Sequence, residues 1–303
     1  MTTSKMHDNE VATSATLVGR LLATQFPQWA HLPVRPVDFD GWDNTTFRLG
    51  DELLARLPSH ERYVPQVEKE QRWLPILRSG LPLPIPEPVT LGEPGCGFPR
   101  PWSVYRWLEG ETATPDKIAD MPHFARGVAG FLKALQAIDT REGPPSGAHC
   151  FHRGGSLAIY DGETHEALDA LGARVDGDAC RAVWNAALAA TWDRPPVWVH
   201  GDMAIGNLLI HDGALCAVID FGCSCVGDPA CDLVIAWMLF DAPSRALFRE
   251  ALPLDDGTWA RARGWALWKA LKVLSLAPHW EGRRAREHGR CLQEVLADHA
   301  GGG

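Results

Sequence analysis

The sequence predicts an α+β fold in two parts, a small β-rich part over residues 1–107 and a larger, mostly helical part over 108–303. Short strand patterns, separated by turn signals at Asp40-Gly41 and Gly50-Asp51, indicate the first part. Helical spacing of apolar residues dominates the second part, where the strand-rich segment 197–222 interrupts it. A chain of 303 residues supplies enough apolar material for two cores, so two domains are expected.

The elements of each part follow from periodicity and from turn residues. In the first part we expect a helix capped by Thr13 or Ser14, strands within 34–58, a helix over 66–77, an extended proline-rich connector over 79–92, a turn at 95–97 and a strand within 101–111. In the second part we expect helices over 124–138, 166–171, 179–191, 232–240, 244–252, 259–276 and 284–299, and a loop over 141–163.

Composition narrows the class of protein. Lys and Arg total 29 against 38 for Asp and Glu, and this balance of -9 disfavours a nucleic-acid partner while it tolerates a cationic one. No apolar run approaches the ~20 residues that cross a bilayer, so no membrane partner is expected. The eight cysteines lack a regular framework and the amino-terminal residues are polar, which predicts reduced thiols and a cytoplasmic location. Cys223, Cys225 and Cys231 fit no zinc spacing and are interpreted as packing residues.

Three polar residues punctuate the apolar segment 197–222. Asp212-Gly213 predicts a two-residue hairpin, because glycine accepts the positive φ of such turns. The register that follows sets Asn207 opposite Val218, so Asn207 and Asp220 converge at the open end of the hairpin. Asp202 lies on the loop that enters the same end.

Each of these residues alone is typical of turn capping, but three that meet at one end favour a functional site. An amide oxygen and a carboxylate are ligands suited to Mg²⁺, and a second carboxylate can orient or deprotonate a hydroxyl group. Asp202 precedes Asn207 by five positions and a D-F-G aspartate, Asp220, follows, as in the catalytic segments of protein kinases. The pattern therefore indicates phosphoryl transfer.

The consecutive motifs HGDMAIGNLLI, VIDFG and VGDPACDL resemble those of the aminoglycoside phosphotransferases, in a superfamily with choline, homoserine and macrolide kinases. The resemblance covers about 37–240 and implies a protein-kinase-like two-lobe fold, with a nucleotide-binding lobe over 1–107 and a catalytic, substrate-binding lobe over 108–303. It implies that Asp202 is the catalytic base and that Asn207 and Asp220 bind Mg²⁺. His200 would brace the loop, while Asp228 and Asp232 are interpreted as structural.

The resemblance also implies a nucleotide site for ATP, or GTP in its place. Arg56 occupies the position where the family has the lysine that contacts phosphate, and Glu70 is its helix partner. Lys and Arg are not interchangeable, so an adjusted site is expected, or else Arg56 is an exposed strand cation. Asn44 and Thr45 are candidates for phosphate contact. The hinge residues Arg106, Trp107 and Leu108 are candidates to bond adenine through their backbone.

The acceptor implied by the resemblance is a hydroxyl group of an aminoglycoside, a cationic small molecule whose site should be acidic. A macrolide or a small amino alcohol is the alternative acceptor, and a non-catalytic nucleotide-binding protein is the third hypothesis. Acidic loops favour the first acceptor, whereas an aromatic, weakly charged cavity favours the second. Aromatic residues at spacing three on a helix are usually core. The candidate residues are two acidic runs, Asp161, Glu163, Glu166, Asp169 and Glu250, Asp255, Asp256, and an aromatic set, Trp265, Trp268, His279, Trp280.

Overall fold

The computed structural model describes residues 13–37, 43–277 and 279–302, and the chain forms two compact units. The first unit comprises Met1–Ser79, Pro84–Glu109 and Ala217–Gly222, and the second comprises Gly80–Leu83, Gly110–Cys216 and Cys223–Gly303. The predicted turn at Asp40-Gly41 lies outside the described residues, as does most of the polar amino-terminal segment.

The first unit contains an antiparallel sheet of five strands, β1 (Val34–Pro36), β2 (Asn44–Leu49), β3 (Leu53–Pro58), β4 (Pro88–Gly92) and β5 (Trp102–Arg106). The strand order in the sheet is β1-β2-β3-β5-β4. Gly50, with φ of 58°, forms the predicted turn between β2 and β3. The predicted proline-rich connector ends in a strand, β4, because an edge strand tolerates the proline that begins it.

Two helices, α1 (Ala15–Gln25) and α2 (Val64–Arg78), accompany this sheet. The Ser14 hydroxyl caps α1 by accepting a hydrogen bond from the Leu17 N–H at 3.1 Å, which confirms the predicted start. The apolar face of α1 packs on the sheet in one cluster with Phe47 and Trp102. Helix α2 starts before the predicted residue 66, because Pro65 is favourable in the first turn of a helix.

The second unit is mostly helical. Its helices are α3 (Met121–Gln136), α4 (Asp161–Leu171), α5 (Gly177–Ala189), α6 (Ile235–Met238), α7 (Ala242–Ala251), α8 (Asp256–Ser275) and α9 (Arg283–Ala300). Its strands are β6 (Glu111–Thr112), β7 (Val197–Val199), β8 (Leu208–His211), β9 (Ala214–Val218) and β10 (Cys225–Gly227), with β9 ending in the first unit. They form a β6-β8-β9 sheet and a β7-β10 pair.

The two largest differences from the predicted helices of this unit concern α4 and the segment 232–240. Helix α4 begins at Asp161, five residues early, because a 3-10 turn over Leu157–Tyr160 leads directly into it. The predicted helix over 232–240 is a 3-10 turn, Pro229–Val234, followed by the short α6. The carboxylate of Asp232 there accepts backbone hydrogen bonds from a distant loop, which fixes this segment by tertiary contacts.

Helix α8 is buried along most of its length and approaches α5 closely. A Cβ atom at Gly264 of α8 would lie 2.5 Å from the Cβ of Ala187 on α5 and 2.9 Å from Leu157 Cδ1. Only a hydrogen atom fits between these helices, so glycine sets the position of α8 in the unit.

His288 on α9 is buried and its pKa is depressed. The side chain is 4% exposed, and its Nδ1 has no hydrogen-bond partner among the residues that the structure describes. Burial, with smaller effects of Lys269 and Arg284, lowers its pKa to about 4. Because the unfolded chain binds the proton near pH 6.5, stability is lost as pH falls from 6.5 toward 4.

We expect the free energy of unfolding to fall by about 2 kcal/mol between pH 7.5 and pH 5 through this group. Urea titrations of wild type and His288→Leu at both pH values measure this difference. His123 is exposed, so His123→Gln serves as control and should show the same change in unfolding free energy between the two pH values as wild type. If His288→Leu shows the same pH dependence as wild type, His288 does not carry it.

Candidate active site

Asp202 lies on the loop after β7, where the backbone is packed too closely to leave room for a side chain at position 201. Gly201 has φ of 83°, and a Cβ atom there would lie 2.3 Å from the carbonyl oxygen of Cys223. The Asp202 N–H donates to Nδ1 of the buried His200 at 3.3 Å. Glycine is thus required beside Asp202, and His200 contacts the loop as predicted.

Two buried carboxylates support this region from the segment 227–233. Asp232 accepts hydrogen bonds from the N–H groups of His200 and Gly201, both at 2.7 Å. Asp228 caps the Pro229–Val234 turn and pairs with Arg261, whose Nε lies 2.6 Å from Oδ2. These contacts agree with the structural interpretation of both acids, since their oxygens are engaged within the protein.

Asn207 lies beside Asp202 at the end of the 3-10 turn Ile205–Asn207. Its Nδ2 donates to the carbonyl oxygen of Asp202 at 2.9 Å and lies 3.4 Å from Oδ2. The amide nitrogen is therefore engaged, and the amide oxygen stays available to a cation. The hairpin that follows has φ of 50° at Asp212 and 76° at Gly213, the turn geometry that the sequence predicts.

Lys269 is a site residue that the sequence analysis did not single out. Its Nζ, on α8, lies 2.9 Å from Oδ1 of Asp202, whose side chain is 34% exposed. Burial would raise the pKa of Asp202, but the charges of Lys269 and Arg153 outweigh burial and lower this pKa to about 2. Asp202 is consequently ionised at neutral pH, the state that accepts a proton.

The cavity beside Asp202 has aromatic and cationic walls. The guanidinium carbon of Arg153 lies 5.1 Å from the ring centroid of Trp265 and 4.8 Å from that of Trp268. The two indoles are largely buried, as helical spacing predicts, yet they also line this cavity. The lining residues are Arg153, Gly201, Asp202, Met203, Cys231, Val234, Trp265, Trp268 and Lys269.

Several of the acids singled out for a cationic acceptor are engaged elsewhere. Glu163 pairs with Lys272 at 2.6 Å, and Asp161 accepts the indole N–H of Trp184 at 2.7 Å. Asp255 caps α8 through the Thr258 N–H at 2.8 Å. Asp202 is the acid that lines the cavity.

In the first unit, Arg56 forms the ion pair with Glu70 that the resemblance implies. Its Nη1 lies 3.1 Å from both carboxylate oxygens of Glu70, which is 4% exposed and also accepts the Tyr105 hydroxyl. Its Nη2 lies 2.8 Å from Oδ1 of Asp220, a contact the sequence did not predict. Burial opposes the charge on Arg56, but Glu70 and Asp220 raise its pKa above the usual value.

Asp220 follows β9 in a left-handed conformation, with φ of 67°. Its Oδ1 accepts from Arg56, while Oδ2 accepts no hydrogen bond from the part of the chain that the structure describes. Asp202 and Asn207 belong to the second unit and Asp220 to the first, and the convergence of all three remains a prediction. No group of three or more His, Cys, Asp or Glu suited to a metal ion occurs among the described residues.

The remaining nucleotide-site candidates lie in the first unit. Asn44 and Thr45 begin β2 opposite Pro58 and Leu57, and Asn44 is buried. The preceding residues 38–42 lie outside the described chain.

Two of the three hinge residues already use their backbone N–H groups. Arg106 donates to the Glu87 carbonyl at 2.9 Å and Trp107 donates to the Glu52 carbonyl at 2.7 Å. The Leu108 N–H has no backbone acceptor within the described residues, so Leu108 is the hinge donor that remains open.

Known proteins share this sequence pattern and fold. The sequence profile of the phosphotransferase enzyme family, APH, matches residues 34–265. Wild-type aminoglycoside 2'-phosphotransferase-IIIa in complex with GDP is similar, with a TM-score of 0.71 and 18% identity over 95% of this chain and 100% of that one. Macrolide 2'-phosphotransferase MphH from Brachybacterium faecium has a TM-score of 0.57 and 20% identity, over 93% of this chain and 97% of that one. No curated protein matches the chain. The predicted α+β kinase-like fold is confirmed.

Helices of membrane-spanning length and hydropathy are absent from the described ranges. Of the cysteines considered as metal ligands, Cys225 and Cys231 are buried, and none of the three forms a disulfide bond among the described residues.

Proposed function

Because the chain belongs to the phosphotransferase enzyme family, we propose that it is an ATP- and Mg²⁺-dependent kinase that phosphorylates a hydroxyl group of a small molecule. The observation that carries the proposal is the loop of Asp202. This ionised carboxylate is fixed by a braced backbone and has the amide of Asn207 beside it.

Asp202 is proposed as the group that orients the acceptor hydroxyl and takes its proton. The acceptor oxygen forms a bond to the γ-phosphorus of ATP, the bond from that phosphorus to the bridging oxygen breaks, and ADP leaves. The proton passes to the Asp202 carboxylate. Positioning supplies most of the rate in such a transfer, and the brace from Asp232 holds the loop in one place.

Asn207 and Asp220 are the proposed magnesium ligands. Each has an oxygen that no described group engages, the Asn207 amide oxygen and Asp220 Oδ2, and such hard oxygens suit the ion. Mg²⁺, when bound, neutralises charge on the phosphates. Arg56 is proposed to contact phosphate, with Asn44 or Thr45, and the Leu108 N–H to bond the nucleotide base.

The donor is proposed to be ATP, with GTP as the alternative. A related structure is described as a GDP complex and another as a ternary complex of streptomycin and ATP, which supports a nucleoside triphosphate in this family. Arg56 supports the same site, because a guanidinium held by two carboxylates still has donors to offer an anion.

The acceptor is the finer part of the proposal. Similarity to aminoglycoside phosphotransferases favours an aminoglycoside, which needs an acidic site. Asp161, Glu163 and Asp255 are engaged within the protein, and the cavity beside Asp202 carries two cations and two indoles. This balance disfavours a polycation and leaves alcohols of lower positive charge, a macrolide or a small amino alcohol among them, as the acceptors to compare.

Coupled ADP release against a panel of aminoglycosides, macrolides and small alcohols, with and without Mg²⁺, tests this proposal. We expect release that an alcohol stimulates, that chelation abolishes, and that aminoglycosides do not stimulate best. Binding of Mg-ATP without acceptor-dependent release from any member would instead support the non-catalytic nucleotide-binding protein. An aminoglycoside as best acceptor would overturn the assignment of acceptor class.

A further inference from the structure

The side chains that line the cavity beside Asp202 carry a net positive charge, which does not suit a polycationic acceptor. Arg153 and Lys269 both line it, and Asp202 is the single carboxylate among the described residues that do so. Lys269 pairs with Asp202 at 2.9 Å, so that pair is neutral as a whole. The positive charge of Arg153 is left over.

Arg153 forms no ion pair and no side-chain hydrogen bond within the described ranges of the chain. Its side chain instead lies over the two indoles of Trp265 and Trp268. The nearby carboxylate of Glu163 is engaged by Lys272 and by the Trp268 N–H. The charge-assisted bonds that a guanidinium can make are therefore left for a ligand.

The aromatic contacts also restrict the position of the Arg153 guanidinium. Tyr160 packs on Trp268 with ring centroids 4.0 Å apart, so the indole beside the guanidinium is itself held by another aromatic ring. A planar guanidinium held on an aromatic surface recognises a carboxylate or phosphate with two parallel hydrogen bonds. Because it is already ordered, it loses little freedom when it binds.

The remaining walls of the cavity are apolar. Met203, Val234 and the two indoles line it together with Arg153 and Asp202. An acceptor bound at this surface would place apolar groups against these side chains, beside an anionic group and the hydroxyl that reacts.

We propose that the acceptor is an anionic alcohol with an apolar body, whose oxyanion binds Arg153 while its hydroxyl group lies at Asp202. The proposal rests on the proposed phosphotransferase function. It makes Arg153 a specificity residue, which binds the acceptor and takes no part in proton transfer.

A matched series of three probes separates charge from shape: 3-phenyllactate is an anion, 3-phenyl-1,2-propanediol is neutral and 1-amino-3-phenyl-2-propanol is a cation. Each carries the same phenyl group and a hydroxyl. We expect binding to the enzyme with Mg-ADP, followed by tryptophan fluorescence, to be at least tenfold tighter for the anion than for the cation. Equal affinities, or tighter binding of the cation, would overturn the proposal.

Three variants assign the preference to Arg153. Arg153→Gln should abolish the preference for the anion, Arg153→Lys should keep part of it, and Arg153→Glu should favour the cation. Arg181→Gln is the matched control, because it removes one exposed positive charge on α5 that does not line the cavity. Thermal unfolding checks that each variant folds. An Arg153→Gln enzyme that keeps the wild-type order contradicts the proposal.

Failure of the proposed function is distinguished by measuring ADP release from Mg-ATP with the same three probes. Anion binding without ADP release for any alcohol retains the anion site and rejects the kinase. ADP release with a neutral or cationic alcohol, and no preference for the anion, retains the kinase and rejects the site.

Discussion

Replacement of Asp202 by Asn is expected to lower kcat for ADP release by two to four orders of magnitude, the range that a positioned general base contributes. The amide keeps the size of the side chain but cannot take a proton from the acceptor. Lys269 would lose its charged partner, whereas Asn207 still finds the backbone carbonyl at position 202, which holds its amide now.

Mg-ATP affinity should change little in this variant, because Asp202 acts on the acceptor. Coupled ADP release gives kcat, and calorimetry gives the affinity for Mg-ATP. Asp193→Asn, an exposed carboxylate in the same unit, is the control. A variant that keeps turnover within tenfold of wild type would reject Asp202 as the base.

Substitution of Arg56 by Met is expected to lower the free energy of unfolding by about 3–5 kcal/mol. Glu70 is nearly fully buried and Arg56 is its cationic partner, so the variant leaves a buried carboxylate without compensation. Arg56→Lys keeps the charge, but one ammonium replaces two guanidinium nitrogens that contact two different carboxylates. We expect an intermediate loss of about 1–2 kcal/mol and weaker binding of Mg-ATP.

Urea unfolding and Mg-ATP titration of both variants measure these effects. Arg78→Lys is the matched control, since Arg78 pairs with Glu87 in the same unit but is 54% exposed, and it should cost less than about 0.5 kcal/mol. If Arg56→Lys leaves stability and nucleotide affinity untouched, the assignment of this position to the nucleotide site is wrong.

Local signals in the sequence predict much of the fold. Ser14 before an apolar period marks the start of α1, and Asp212-Gly213 marks the hairpin, because capping and turn geometry depend on a few adjacent residues. The boundaries that depend on distant contacts are less predictable. The segment 229–234, where Asp232 serves a remote loop, is the clearest case.

The residues of the candidate site also differ in how well the sequence predicts them. Asp202 and Asn207 are close in sequence, and their spacing alone indicates a site. Lys269 reaches Asp202 from 67 positions away, on a helix whose apolar spacing indicates only core. Arg153 lies in a glycine-rich loop that carries no motif, and only the folded chain places its charge over the two indoles.

The close contact of α5 and α8 at Gly264 has a consequence for how acceptor selectivity can change in these enzymes. Lys269 and both cavity indoles are carried by α8, whose seat depends on the missing side chain at Gly264. Even one added methyl group there would displace α8 and reshape the cavity beside Asp202, while every catalytic motif stayed intact. Selectivity for the acceptor can thus change through a substitution at a buried position that belongs to none of the catalytic sequence motifs.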